Sequence, residues 1–257
     1  QVKVRHAIHG FSGAMVWASL TINQVNTMNM KSKPIGKLII MILTAVVGFG
    51  ASEALAQTCR GPKPDICTRS CWNARSPSCS ASQMSSLNRA VIHHTASTGD
   101  YNTAGINESK AKVRGVQNYH MNNNGWCDIG YHFLVDKHGN IFSGRKDSAV
   151  LGERPRGAHD GCNSNSFGFT ALGYYHPPYN NAATTKLING LRNIIAWRMP
   201  GGWNPTGNGT SYCNGVTDKV IGHRQVKATA CPGDKLFEKI TEGSGFENAI
   251  KARRACN

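Results

Sequence analysis

The sequence predicts an α/β fold: a single mixed β-sheet flanked by helices, with a disulfide-stapled N-terminal segment ahead of it. Three observations predict it. Short apolar runs at 88–94, 131–135, 140–143, 166–172 and 219–221 have the length of strands. Two longer segments, 106–122 and 182–198, space their apolar residues at helical period. Four of the nine cysteines, Cys59, Cys67, Cys71 and Cys79, crowd into the stretch before the first strand. Strands separated by helices, with one hairpin among them, give a mixed sheet with helices packed on it.

The chain divides into four parts. Residues 30–56 read as a secretory signal: Lys31, Lys33 and Lys37 make a basic start, Leu38 to Phe49 is apolar, and Ala54-Leu55-Ala56 is a small-x-small cleavage site before Gln57. The apolar run is about twelve residues, short for a bilayer span, so no stable membrane insertion is expected after cleavage. Residues 1–29 precede that signal and read as an upstream or non-mature segment with no role in the fold. Residues 57–84 form the cysteine-rich segment, and 85–257 the main domain. No internal repeat or second-domain linker is visible, and a monomer is expected.

Within the main domain, Asn88 to His94 is a short buried strand. Side chains alternate along a strand, so His93 and His94 point to opposite faces. Ile106 to Asn122 is a helix with Val113, Val116, Gln117 and His120 at helical spacing, stopped by Asn122-Asn123-Asn124-Gly125. Tyr131 to Val135 and Asn140 to Ser143 form a hairpin about Asp136-Lys137-His138-Gly139. Ser166 to Leu172 is another strand. Ala182 to Arg198 is a second helix, with Leu187, Leu191, Ile194 and Ile195 on its apolar face. Lys219 to Ile221 is a brief strand, and Asp234 to Ile240 begins a last helix with an acid at its N-terminus.

Charge narrows the partners. The formal net charge is +15; residues 1–56 hold five basic residues and one acid, which leaves +11 on the rest. Such a field attracts polyanions. The chain has no basic helix, zinc-finger spacing or aromatic RNA-binding motif. No nucleic acid is therefore expected as partner, and an anionic cell wall suits an exported protein better. All nine cysteines follow the signal, as an oxidising destination requires. The odd count leaves one cysteine over, and no connectivity is assigned.

Two stretches carry the chemistry. Val91-Ile92-His93-His94-Thr95 ends an apolar run in two histidines, and Gly222-His223-Arg224 leads to Thr229-Ala230-Cys231-Pro232. Neutral imidazole and thiolate are preferred zinc ligands, and three protein ligands leave a fourth position for water. Cys231 reads either as such a ligand or as half of a disulfide. His159 reads as a groove-lining residue or a bystander, and Trp72 and Trp126 as core or groove floor.

The motifs, taken together and in order, resemble those of peptidoglycan recognition proteins and N-acetylmuramoyl-L-alanine amidases of type 2. They are Arg69-Ser70-Cys71-Trp72-Asn73-Ala74-Arg75, Val91 to Ala96, Asn118-Tyr119-His120-Met121, Gly125 to Phe133, Gly157-Ala158-His159, Ser166-Phe167-Gly168, and Gly222-His223-Arg224 to Cys231-Pro232-Gly233. The resemblance covers residues 66 to about 240. It implies the type 2 amidase fold, Zn2+ held by His93, His223 and Cys231, and Tyr131 and Thr229 as catalytic residues. It further implies hydrolysis of the amide between N-acetylmuramic acid and L-alanine of peptidoglycan by a secreted or periplasmic enzyme. The alternative is a non-catalytic peptidoglycan-binding recognition protein. Two departures stand out: the family's short cysteine pair is absent from Ala96 to Lys112, and Lys146-Asp147 stands where members carry a Gly-Trp or Asn-Phe pattern.

Overall fold

The computed structural model describes residues 3–9, 15–21 and 59–254. The chain separates into two units, residues 1–48 and 49–257. In the first, β1 (Lys3–His9) pairs antiparallel with β2 (Met15–Thr21), placing Lys3 opposite Thr21 and His9 opposite Met15. This hairpin was not anticipated from the sequence. The signal segment read at 30–56 lies outside the described residues.

The second unit is built on one six-stranded mixed sheet. Its strands are β3 (Ile66–Cys67), β4 (Arg89–His94), β5 (Phe133–Val135), β6 (Ile141–Ser143), β7 (Ser166–Ala171) and β8 (Val220–Gly222), in the order β3-β6-β5-β7-β4-β8. Only the β5–β6 pair, the predicted hairpin, is antiparallel. Asp136 closes its turn: one carboxylate oxygen accepts from the amides of both His138 and Asn140, each at 2.9 Å. Every residue of β4 and β7 is buried, as expected of central strands covered on both faces.

Strand alternation sorts the core into two layers. Ala90 and Ile92 of β4 join Phe133, Val135, Phe167 and Phe169 against the long helix α2 (Thr185–Arg198). Leu134 and Phe142 face the other way, toward Val113 of helix α1 (Ile106–Asn122). Val91 shares that second side with Ile221 and Val226. His93, two residues on from Val91, follows it. His94 follows Ile92.

The helix α1 has the bounds the sequence predicts and buries Ser109, Val113, Gln117 and His120, a single face at helical spacing. The predicted second helix starts at Thr185 and not at Ala182, because Thr184 caps it: its hydroxyl accepts the Leu187 amide at 3.1 Å. Thr184→Ala is expected to cost about 1 kcal/mol, to be read as a lowered midpoint in urea denaturation with the disulfides intact. Helix α3 (Asp234–Thr241) matches the predicted last helix. A further helix, α4 (Gly245–Arg253), packs Phe246 and Ile250 beside α2. Two buried apolar residues in nine are too few to announce a helix by periodicity.

The cysteine-rich segment is stapled as expected. Cys67 bonds Cys71 within it, and Cys79 bonds Cys127 in the body of the domain. Cys59 is also disulfide-bonded. Another bridge joins Cys162 to Cys213. Trp72 is fully buried and its indole N–H donates to the Ser143 carbonyl at 2.8 Å, so it is core and not a sugar platform. No helix among the described residues is long and apolar enough to cross a membrane.

Candidate metal centre

The parallel pairing of β4 with β8 places Ile92 opposite Gly222. In each segment the next residue is a histidine: His93 within β4 and His223 just past the end of β8. His93 and His223 therefore emerge side by side at the carboxyl ends of adjacent strands, their ring centroids 4.6 Å apart. Open α/β sheets bind ligands at this edge. Cys231 arrives from the loop before α3. Its Sγ lies 3.7 Å from His93 Nδ1 and accepts the His94 amide at 3.4 Å. One nitrogen from each imidazole and the sulfur all lie within 4.8 Å of one another.

This donor set fits a zinc ion. Burial, then the neighbouring His159 and His223, holds His93 well below the usual imidazole range, so it is neutral and able to ligate. Burial is also the main cause that lowers His223 to about 4, against the opposing pull of Asp160. The His223 Nε2 is buried with no hydrogen-bond partner. Cys231 is the one free cysteine among the described residues. Burial pushes its thiol up to about 12. A thiolate there calls for a cation beside it, and a bound divalent metal is such a cation.

His94 goes the other way, as alternation requires. Its Nδ1 accepts the Tyr175 amide at 3.2 Å, and burial lowers it to about 4. Tyr131 lies just before β5 with its ring 5.4 Å from that of His93. Burial raises its phenol above the ordinary range, which keeps it a neutral O–H donor. Thr229 accepts the Cys231 amide on its hydroxyl oxygen at 3.2 Å. Its O–H proton stays available for another acceptor.

Beside Tyr131 opens a cavity of about 620 Å³ walled by Thr95, Asp100, Tyr119, His120 and Trp126. Tyr119, on its rim, is 58% exposed. Asp100 is 7% exposed, and its Oδ2 has no hydrogen-bond partner. His120 supports the wall: its Nδ1 accepts the Gly130 amide at 3.0 Å and its ring packs on Trp126 and Tyr131.

Residues 83–234 match the family model described as N-acetylmuramoyl-L-alanine amidase. The chain belongs to this amidase family. A peptidoglycan-recognition protein SC2 of Drosophila melanogaster is 33% identical over 208 residues, covering 80% of this chain and 97% of that one. Peptidoglycan recognition protein 1 of Bos taurus is 29% identical, covering 78% and 91%. Among solved structures, Drosophila PGRP-LB is similar with a TM-score of 0.55 at 28% identity over 70% of this chain and 94% of that one. The recognition protein PGRP-LE, solved with tracheal cytotoxin, a monomeric diaminopimelic acid-type peptidoglycan, gives 0.54 at 28% identity over 69% and 92%.

In this amidase-family chain the fold brings together His93, His223, Cys231 and Tyr131, and sets Thr229 beside Cys231. It also brings in His159, whose Nδ1 stands 3.0 Å from His93 Nε2. The Gly157-Ala158-His159 motif signals this histidine in the sequence. Gly168 makes room for it: a Cβ there would lie 2.8 Å from the His159 ring. Asp100, Asp160 and Tyr212 carry no sequence signal, because each reaches the site from a loop without periodicity. His132 is structural. It stacks on Phe167 at 3.8 Å, its Nδ1 accepts the Gly168 amide, and its Nε2 contacts the Pro155 carbonyl.

Proposed function

We propose that the protein is an exported, monomeric, zinc-dependent N-acetylmuramoyl-L-alanine amidase that hydrolyses the amide between N-acetylmuramic acid and L-alanine of peptidoglycan. One observation carries the reading: a chain rich in disulfides leaves Cys231 free, buried, and grouped with His93 and His223. A residue kept only for binding the wall would have no need of that thiol. The tracheal cytotoxin bound by PGRP-LE supports a muropeptide as ligand of the adjoining cavity. The disulfides support export.

His93, His223 and Cys231 would hold the zinc. Bound there, zinc supplies Lewis acidity and lowers the pKa of a water ligand toward neutrality. The remaining work falls to the protein's own groups. Tyr131, neutral and half-buried, donates its O–H to the amide oxygen as negative charge develops there. Thr229, its oxygen already engaged by the Cys231 amide, donates its O–H to the reacting oxygen from the opposite loop. Tyr119 and Trp126 provide apolar ring surface along which the glycan or stem peptide lies.

Digestion of purified peptidoglycan with residues 57–257 tests the proposal. Free stem peptides beginning at L-alanine are expected by mass spectrometry. Intact wall, or cuts within the glycan or the peptide, would sink it. Tyr131→Phe keeps the ring and removes the donor. It is expected to lower kcat by about 10²–10³, the usual effect of losing one such donor, with KM little changed.

A further inference from the structure

A chain of buried hydrogen bonds runs from His93 away from Cys231. His93 Nε2 meets His159 Nδ1 at 3.0 Å. His159 Nε2 meets Ser166 Oγ at 3.5 Å, and Ser166 Oγ meets the Tyr212 hydroxyl at 2.8 Å. The Tyr212 hydroxyl donates to Asp160 Oδ2 at 2.7 Å. The other Asp160 oxygen is taken by the Asn163 amide at 2.6 Å. Asp160 is fully buried at its side chain.

These contacts have one consistent proton direction. A carboxylate only accepts, so Tyr212 spends its proton on Asp160. Ser166 then donates to the Tyr212 oxygen and His159 donates from Nε2 to Ser166; Asp160 Oδ2 stands 3.7 Å from His159 Nδ1, too far to hydrogen bond, so that Nδ1 is left to accept. His93 must therefore carry its proton on Nε2. Its lone pair is left on Nδ1, the nitrogen 3.7 Å from Cys231 Sγ.

Two features hold the far end in place. The Cys162–Cys213 disulfide ties the residue after Tyr212 to the loop that carries Asp160. Arg89, at the start of β4, lies over the Tyr212 ring at 4.7 Å and donates to the carbonyls of Thr210, Thr217 and Asp218. The loop is thus fastened to the strand that delivers His93.

We propose that Tyr212, Asp160, Ser166 and His159 form a positioning relay that fixes the tautomer and orientation of His93, and that the Cys162–Cys213 disulfide holds this relay closed. The proposal rests on the reading of His93 as a zinc ligand. Groups that orient ligating histidines typically change metal affinity 10- to 100-fold when lost.

The test uses the whole domain, residues 57–257, with two readouts. Zinc affinity is measured by competition with a chelator, and the ¹⁵N shifts of the imidazoles are recorded in the zinc-free protein. Tyr212→Phe and Ser166→Ala are each expected to weaken zinc binding about 10- to 100-fold. Both are expected to convert His93 from a single Nε2–H tautomer to a mixture while His94 keeps its shifts. The Cys162→Ser/Cys213→Ser variant is expected to do the same, with Tyr212→Phe adding little on top of it. Unchanged His93 shifts and wild-type zinc affinity in Tyr212→Phe and Ser166→Ala would overturn the relay. A wild-type protein that binds no zinc would instead overturn the metal reading, and the tautomer measurement would still decide the relay by itself.

Discussion

Cys231→Ser is expected to lose both its zinc and about three orders of magnitude in peptidoglycan hydrolysis while keeping its fold. The sulfur is the one soft donor of the cluster, and a neutral hydroxyl is a poor replacement for thiolate at a zinc site. A thousandfold corresponds to about 4 kcal/mol of transition-state stabilisation, within the several kcal/mol that a metal Lewis acid supplies. The fold is expected to survive because Cys231 closes no disulfide and a serine oxygen still accepts the His94 amide that now meets the sulfur. Binding to insoluble peptidoglycan is expected to persist, since Tyr119, Trp126 and the rest of the cavity wall are untouched. Metal content, turnover and a pull-down on the same preparation check the three statements together. Cleavage at the wild-type rate would remove Cys231 from the site. A wild-type protein that binds the wall and never cuts it would be a recognition protein.

The residues that decide this site are legible for different reasons. Strand alternation puts His93 and His94 on opposite faces and the family motif picks out His93, and the structure sends one toward Cys231 and the other to the Tyr175 amide. The bounds of α1 were readable because its buried residues repeat at helical spacing and an Asn-rich stop follows. The interval from His223 to Cys231 matches the family's spacing, but their approach to His93 depends on β8 lying parallel beside β4, a long-range pairing that no local pattern encodes. Tyr212 shows the limit most clearly. It lies in a stretch without period, and it reaches Asp160 across 52 positions because a disulfide and the Arg89 guanidinium hold its loop there. A cysteine count reveals that bridges exist without saying which residues they bring together.

Asp128→Ala is expected to be among the most destabilising single changes in the domain. Its side chain is 3% exposed and sits where four parts of the chain meet. Arg69 of the cysteine-rich segment donates to both carboxylate oxygens, at 3.2 and 3.0 Å. Gln117 of α1 donates at 2.7 Å, the Ile129 amide at 2.8 Å and the Lys146 amide at 2.9 Å. Alanine leaves the Arg69 charge, 18% exposed, and three further donors without this acceptor. Breaking a largely buried pair by removing one partner costs about 3–5 kcal/mol. For a domain of this size that lowers Tm by roughly 6–20 °C. Part of the loss belongs to the stranded guanidinium, so Arg69→Ala/Asp128→Ala is expected to cost less than the sum of the two single variants. The residue also adjoins the Cys79–Cys127 bridge and lies three residues before Tyr131, which walls the cavity. Loosening it should therefore raise KM for peptidoglycan at temperatures well below the new midpoint, before any global unfolding. An Asp128→Ala protein that melts with the wild type would show that the Arg69 ion pair adds nothing to the hold on the cysteine-rich segment, leaving it to the disulfides, the buried Trp72 and the hydrogen bonds of Arg75 to Gln117, Asn118 and Asn122.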